Sequence, residues 1–289
     1  MMKPFPVDGH ATSLVPSHKD WQLVWQDEFD GSELDQSKWG FRLNYWGQPS
    51  PTFTAEGVIL DGQSHLQLHL TEKDGQFFSP HLQTGSNTFD IPRDSDGIWP
   101  FGKRQEPKFM HRFGFYEIRC RLPRSSGWHA AFWLQSPSIG AAPDPRFCGV
   151  ECDIMENYKQ HTEGLIGCGN GWGGYGKDSR WYGHFWFPHV ESPDGWHTYA
   201  VDWSRDGYTF YADGQVIGVQ EAPVSEVEQF ILVSTECHGY HKSGNRGGLE
   251  KAYVMSGQPD EKLKKENLPD YFEVDYVRVF DDLAELNRT

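Results

Sequence analysis

The chain has 289 residues, 26 Lys+Arg against 41 Asp+Glu for a formal net charge of −15, and a hydrophobic share of 37%. That length suits one large domain or two modest ones, and the composition is neither low-complexity nor disordered. So acidic a surface repels phosphate backbones and anionic lipid, which argues against a general nucleic-acid or membrane binder, and no apolar run reaches the roughly 18 residues that a spanning helix needs.

Residues 1–20 read as an irregular N-terminal arm. The opening MMKPFPVDGH lacks the apolar core of a signal peptide, so the expectation is a cytoplasmic protein or an exported one already trimmed. Residues 21–289 read as a single β-sandwich domain, because short alternating runs follow one another between Gly, Pro, Asn and Asp breaks. Trp21–Trp25 is the first, and His65–Leu70 is cleaner, with Leu66, Leu68 and Leu70 on one face. Phe115 to Leu122 sets Phe115, Glu117, Arg119 and Arg121 against Tyr116, Ile118, Cys120 and Leu122, the period of two of a half-buried strand. Thr198–Trp203 and Tyr208–Tyr211 follow, the latter ending at the hairpin signal Asp213-Gly214. Then come Gln215–Val219, Phe230–Ser234 and Phe272–Phe280. In the last, Phe272, Val274, Tyr276 and Arg278 are expected on one face and Glu273, Asp275, Val277 and Val279 on the other.

Helix is scarce: two turns are predicted over Asp260–Glu266 and one in the tail from Asp282. Segments 93–110 and 170–194 lack periodicity and read as long loops, where a rigid sandwich carries its binding surfaces. Many short strands with Gly/Pro-rich turns predict an all-β sandwich or barrel. The five cysteines, Cys120, Cys148, Cys152, Cys168 and Cys237, are odd in number and form no CxxC pair, so buried thiols are expected. The aromatic share of 15% includes 12 Trp, and it serves a core or a cleft for flat, uncharged rings equally well.

The most informative stretch is Glu151-Cys152-Asp153-Ile154-Met155-Glu156. Alternation puts Glu151 and Asp153 on one face and would send Glu156 to the apolar side, where an unpaired carboxylate costs several kcal/mol. One extra residue in a β-bulge at Ile154–Met155 returns Glu156 to the face of the other two. The two glutamates then stand four strand steps apart, roughly 13 Å between Cα atoms. With both side chains leaning inward their carboxylates approach to roughly 5–6 Å, the spacing of a retaining glycosidase. Asp153 between them can hydrogen-bond the attacking carboxylate and drive the glutamate pKa values apart. A solvent-facing decoration is the bland alternative, weakened by the apolar residues between the acids. An EF-hand is excluded because its D-x-[DN]-x-[DN]-G pattern is absent.

The acids, with Trp25-Gln26-Asp27-Glu28-Phe29-Asp30-Gly31, Gly114–Arg119, Gly127–Leu134, Trp196–Trp203 and Val274–Val279 in the same order, resemble glycoside hydrolase family 16, in its laminarinase and agarase-like endo-β-glycanases. The resemblance runs from about residue 20 to 280. It implies a β-jelly-roll sandwich of two curved antiparallel sheets, the concave one an open cleft for an internal stretch of polysaccharide. It implies Glu151 as nucleophile, Asp153 as its helper and Glu156 as acid/base, in a retaining endo-β-glycosidase. No cofactor is predicted, and a structural calcium ion is left open. A transglycosylase would use the same acids, and a non-catalytic carbohydrate-binding sandwich would need none of them. The partners expected are a polysaccharide or oligosaccharide substrate, with the protein a monomer.

Trp128 and Trp133 match aromatic positions that line the family's cleft or lie just behind it. Two departures weigh against β-1,3-glucan as the substrate: His129 stands where proline is common, and the His of a His-Trp pair one strand after the acids is absent, leaving Gly169 and Asn170 ahead of Trp172. The run Thr235-Glu236-Cys237-His238 is similar to agarase-like members and makes Glu236 and His238 candidate sugar contacts. Trp181 and Trp186, with Asp178, Arg180, Tyr182 and His184, read as a sugar-binding wall or as ordinary loop packing. Arg104, with Lys108, His111 and Arg112, is a basic patch suited to sulphate or uronate groups, or a solvated loop.

Overall fold

The computed structural model describes residues 1–45, 47–87, 90, 105–157, 164–175, 178–190, 192–237 and 259–286. In chain order the strands are β1 (Met2–Phe5), β2 (Ser13–Pro16), β3 (Trp21–Asp27), β4 (Gly40–Phe41), β5 (Asn44–Tyr45), β6 (Gln48–Pro49), β7 (Phe53–Thr54), β8 (Val58–Leu60), β9 (Leu66–Lys73) and β10 (Gln76–Gln83). They continue as β11 (Gly114–Arg121), β12 (Trp128–Gln135), β13 (Glu151–Asn157), β14 (Leu165–Trp172) and β15 (Arg180–Pro188). The last five are β16 (His197–Ser204), β17 (Gly207–Ala212), β18 (Gln215–Gln220), β19 (Phe230–Cys237) and β20 (Asp270–Asp282).

The order β15-β14-β13-β12-β19-β10 makes an inner sheet, and β9-β20-β11-β16-β17-β18 makes an outer one. The β9–β10 hairpin joins them, since Phe78 pairs with Thr71 of β9 while His81 pairs with Ser234 of β19. Alternation builds the layer between the sheets. Tyr116, Ile118 and Cys120 of β11 and Val274 and Val277 of β20 meet Phe132 and Leu134 of β12 and Cys152 and Ile154 of β13 in one buried cluster. All five cysteines are buried free thiols. The fold is the expected antiparallel jelly-roll sandwich. Among the described residues no helix is long and apolar enough to cross a membrane.

Four expectations are corrected. Residues 1–20 are not an irregular arm: β1 and β2 pair antiparallel and cover the outer sheet, where Val15 packs with Trp21, Phe115, Tyr211 and Phe280. Segment 170–194 is not one loop, because β15 forms the edge of the inner sheet. Its register against β14 slips between Cys168 and Asn170, and that slip hides its period in the sequence. In β20, Val277 and Val279 join Phe272 and Val274 in the core, because Arg119 pairs with Tyr276 but Cys120 with Val274, so Asp275 is an extra residue that inverts the pattern. The helix over 260–266 shrinks to a 3₁₀ turn at Lys265–Asn267, ahead of Pro269, whereas the tail does form α1 (Leu283–Leu286).

A buried polar knot ties the N-terminal hairpin down. Arg278, wholly buried, donates from Nε and Nη2 to the two oxygens of Glu28 at 2.7 and 2.8 Å, and from Nη1 to Ala11 O and Ser13 Oγ. Two parallel charge-assisted bonds satisfy both ions, as a buried pair requires. Beside it, Glu117 accepts from Leu14 N at 3.2 Å and from the Tyr276 hydroxyl at 3.0 Å. Burial lifts the Glu117 carboxyl to about 7, against hydrogen bonds from Ser13, Leu14 and Tyr276 and the charge of Arg278, which pull it down. A carboxyl raised on folding contributes its full stability below its ordinary range and loses it as pH climbs through the raised value. Thermal melts at about pH 5 and about pH 8 should therefore show Glu117→Gln losing less stability across that interval than the wild type. Parallel melting curves would remove Glu117 as the cause.

Candidate active site

β13 carries the acids on a strand whose other face is core. Its register against β12 pairs Phe132 with Met155 but Trp133 with Asp153, which leaves Ile154 as the extra residue of a bulge. Cys152, Ile154 and Met155 enter the core cluster, while Asp153 and Glu156 are 3% and 6% exposed on the opposite side. Against β14, Glu151 faces Gly171, Asp153 faces Gly169 and Glu156 faces Gly167, so the glutamates stand the expected four steps apart.

β15 repeats the device. Trp181 pairs with Gly171 and Trp186 with Gly167, so the two rings fall on the rows of Glu151 and Glu156. Each indole folds over its glycine: a Cβ at Gly171 would meet the Trp181 ring at 2.9 Å, and one at Gly167 the Trp186 ring at 3.0 Å. A Cβ at either glycine would push its ring aside. Trp181 and Trp186 remain 42% and 41% exposed, flat apolar faces bordering the acids. Tyr182 pairs with Asn170 and is likewise exposed, while Arg180 bonds Ser179 O at the start of the strand.

β12 and β19 continue the floor. Trp133 packs with Ala131, Phe230 and Leu232 and donates from Nε1 to Ser234 Oγ at 2.9 Å. His129 sets Nε2 3.8 Å from Glu156 Oε1, and Glu236 lies directly across from His129. Three predicted contacts stand elsewhere. Trp128, 1% exposed, belongs with Leu70, Phe77 and Leu263 on the core side and bonds Asp270. Asn170, fully buried, donates to Gln220 Oε1 at 2.7 Å between the sheets. Trp172 packs on the main core cluster. Strand alternation sends all three away from the cleft. Arg104 and His238 lie outside the described residues, as does the side chain of His184. The rest of the basic patch is dispersed, with Lys108 bonded to Gln36 O, Arg112 to Glu226 O and His111 to Asp281.

Electrostatics single out Asp153. Burial first, then the charges of Glu156 and Glu151, push its carboxyl well above the usual range. The expected hydrogen bond from Asp153 to Glu151 is not formed, and Asp153 Oδ2 is buried without a hydrogen-bond partner. Glu151 is held instead by Gln135, whose Nε2 donates to Oε2 at 3.0 Å, and by the hydroxyl of Tyr175, which bonds the same oxygen. Gln135 follows His129, Ala131 and Trp133 in the odd-numbered series of β12, so alternation could have found it. Tyr175 sits in the loop after β14 and left no periodic signal.

Arg42 and His81 also escaped the sequence reading. Arg42 lies over the ring of Trp133 at 5.9 Å, with Nε bonded to Asp90 at 2.6 Å. Burial works against its charge, but Asp90 outweighs burial and raises its pKa. His81 is buried beside it, and burial with the Arg42 charge holds its imidazole well below the ordinary value, hence neutral.

Residues 50–232 match the profile described as Glycosyl hydrolases family 16, more than half of the chain. A relative, glucan endo-1,3-beta-glucosidase A1 of Niallia circulans, is 23% identical over 211 residues, 71% of this chain but only 30% of that protein. Beta-porphyranase E of Zobellia galactanivorans is 28% identical over 145 residues, 48% of this chain and 43% of that one. Among solved structures, the catalytic domain of an endo-1,3-beta-glucanase (laminarinase) from Thermotoga petrophila superposes with a TM-score of 0.63 at 22% identity, covering 92% of this chain and 99% of that domain, which shows a shared fold. The chain is a member of glycosyl hydrolase family 16.

Proposed function

We propose that the protein is a retaining endo-β-glycosidase that cuts internal linkages of a β-linked glucan or galactan by double displacement. The observation that carries this reading is the bulge that turns Glu151, Asp153 and Glu156 onto one face of β13, four strand steps separating the glutamates. In the first step Glu151 attacks the anomeric carbon while Glu156 gives its proton to the departing oxygen. In the second, Glu156 takes a proton from water, the water oxygen bonds to that carbon as its bond to Glu151 breaks and frees the carboxylate, and the configuration is restored. Two carboxylates and water complete the cycle, so no cofactor enters it.

Asp153 works through charge: its raised carboxyl shares the proton economy of the two glutamates. A sandwich that only bound sugar would gain nothing from burying it there, since an acid whose pKa rises on folding costs stability at neutral pH. Trp181 and Trp186 supply stacking faces beside the acids, and such contacts place a sugar without reacting with it.

Reducing-end assays across purified β-glucans, agarose, porphyran and carrageenan identify the substrate, and proton NMR of the first product tests retention. A first-formed α-anomer from a β-linked chain would overturn the mechanism. Glu151→Gln and Glu156→Gln should each cut turnover by ~10³-fold or more while oligosaccharide binding persists. Asp153→Asn should lower kcat/KM by roughly tenfold, one pKa unit of lost coupling. It should also shift the alkaline limb to lower pH, because the variant lacks the carboxylate that, once ionised, opposes loss of the Glu156 proton. Trp181→Ala and Trp186→Ala should raise KM by about tenfold with a smaller change in kcat.

A further inference from the structure

Two donors meet at one oxygen of the glutamate proposed as nucleophile. Gln135 Nε2 and the Tyr175 hydroxyl both reach Glu151 Oε2, and Gln135 Nε2 also bonds the Tyr175 oxygen. Asn87 Nδ2 donates to Gln135 Oε1 at 2.8 Å, which fixes the amide so that its NH₂ must face the glutamate. The loop bearing Tyr175 is seated by backbone contact, because a Cβ on Gly140 would meet Gly174 Cα at 2.7 Å. Gly140 and Gly174 both adopt positive φ, 78° and 74°, so these turns bring the two backbones together where a side chain would separate them.

We infer that Tyr175 and Gln135 are positioning residues that clamp Glu151 Oε2, leave attack to Oε1, and make the carboxylate a good leaving group in the second half of the reaction. The inference rests on the retaining reading above. In the glycosyl-enzyme, Oε1 is bonded to the anomeric carbon and Oε2 is the carbonyl oxygen of an ester. As water adds, the C1–Oε1 bond breaks, its electron pair returns to the Glu151 carboxylate, and the water proton passes to Glu156. Negative charge therefore grows on the carboxylate during this step, where the two donors already wait at Oε2. In the first step the same carboxylate loses charge, so the donors orient it without lowering that barrier electrostatically. The clamp acts unequally on the two halves. Burial, and then the charge of Glu151, push the Tyr175 phenol well above its ordinary value, so it stays a donor throughout the working range.

The test uses Tyr175→Phe, which removes one oxygen, and Gln135→Leu, which removes the amide, each in the full chain. Substrates are the polysaccharide that the wild type degrades best and a dinitrophenyl β-glycoside of its disaccharide unit, whose good leaving group speeds the first step. Loss of a donor to a carboxylate raises its pKa, so the acidic limb of kcat/KM should move upward by ~1 pH unit in both variants. Deglycosylation should slow by ~10–100-fold and glycosylation less, giving a burst of dinitrophenolate and a glycosyl-enzyme adduct in intact-protein mass spectra. A uniform loss with an unmoved acidic limb and no adduct, in variants that melt like the wild type, would overturn the clamp. Near-wild-type activity in Glu151→Gln would instead overturn the retaining reading itself.

Discussion

A single inserted residue organises the site. β13 must give one face to the hydrophobic layer and the other to the cleft, and strict alternation cannot place acids at positions 151, 153 and 156 on one side. With Ile154 unpaired against β12, Cys152, Ile154 and Met155 turn inward while the three acids turn outward. Without the bulge Glu156 would enter the apolar layer, and the desolvation of a carboxylate there is large compared with the few kcal/mol that separate a folded domain from its unfolded chain.

The neighbouring strands are built to this offset. β15 carries its own slip against β14, so Trp181 and Trp186, five residues apart like Glu151 and Glu156, end on the same two rows. Between them β14 contributes Gly167, Gly169 and Gly171, so the indoles lie flat on the backbone and extend toward the acids. A larger residue at either glycine would displace a ring. Floor, wall and acids share one geometry, set by hydrogen-bond register.

The polar groups divide their tasks. Asp153 is buried, and burial with the negative charges of Glu156 and Glu151 keeps its carboxyl raised. Orientation of Glu151 falls to Gln135 and Tyr175, which come from a different strand and a loop. Far from the cleft, Arg278 and Glu117 hold the N-terminal hairpin to the outer sheet through paired ions and backbone bonds. Glu151 and Arg278 are each held by partners that come from other parts of the chain.

The sequence alone determined the sandwich, most strand positions, the bulge and the common face of the three acids, because these follow from a period of two and the cost of burying charge. It placed Trp133, His129 and Glu236 on the cleft side, matching alternation along β12 and β19. It failed where alternation was interrupted: the extra residue at Asp275 inverted half of β20, and the slip in β15 made a strand look like a loop. It also put Trp128, Asn170 and Trp172 at the cleft, although their parity points them inward. Only the tertiary structure could bring Tyr175, Arg42 and His81 to the site, since their placement depends on loop closure and on strands paired across long sequence separations. Local periodicity says which way a side chain points, and only the assembled sheets say what it meets there.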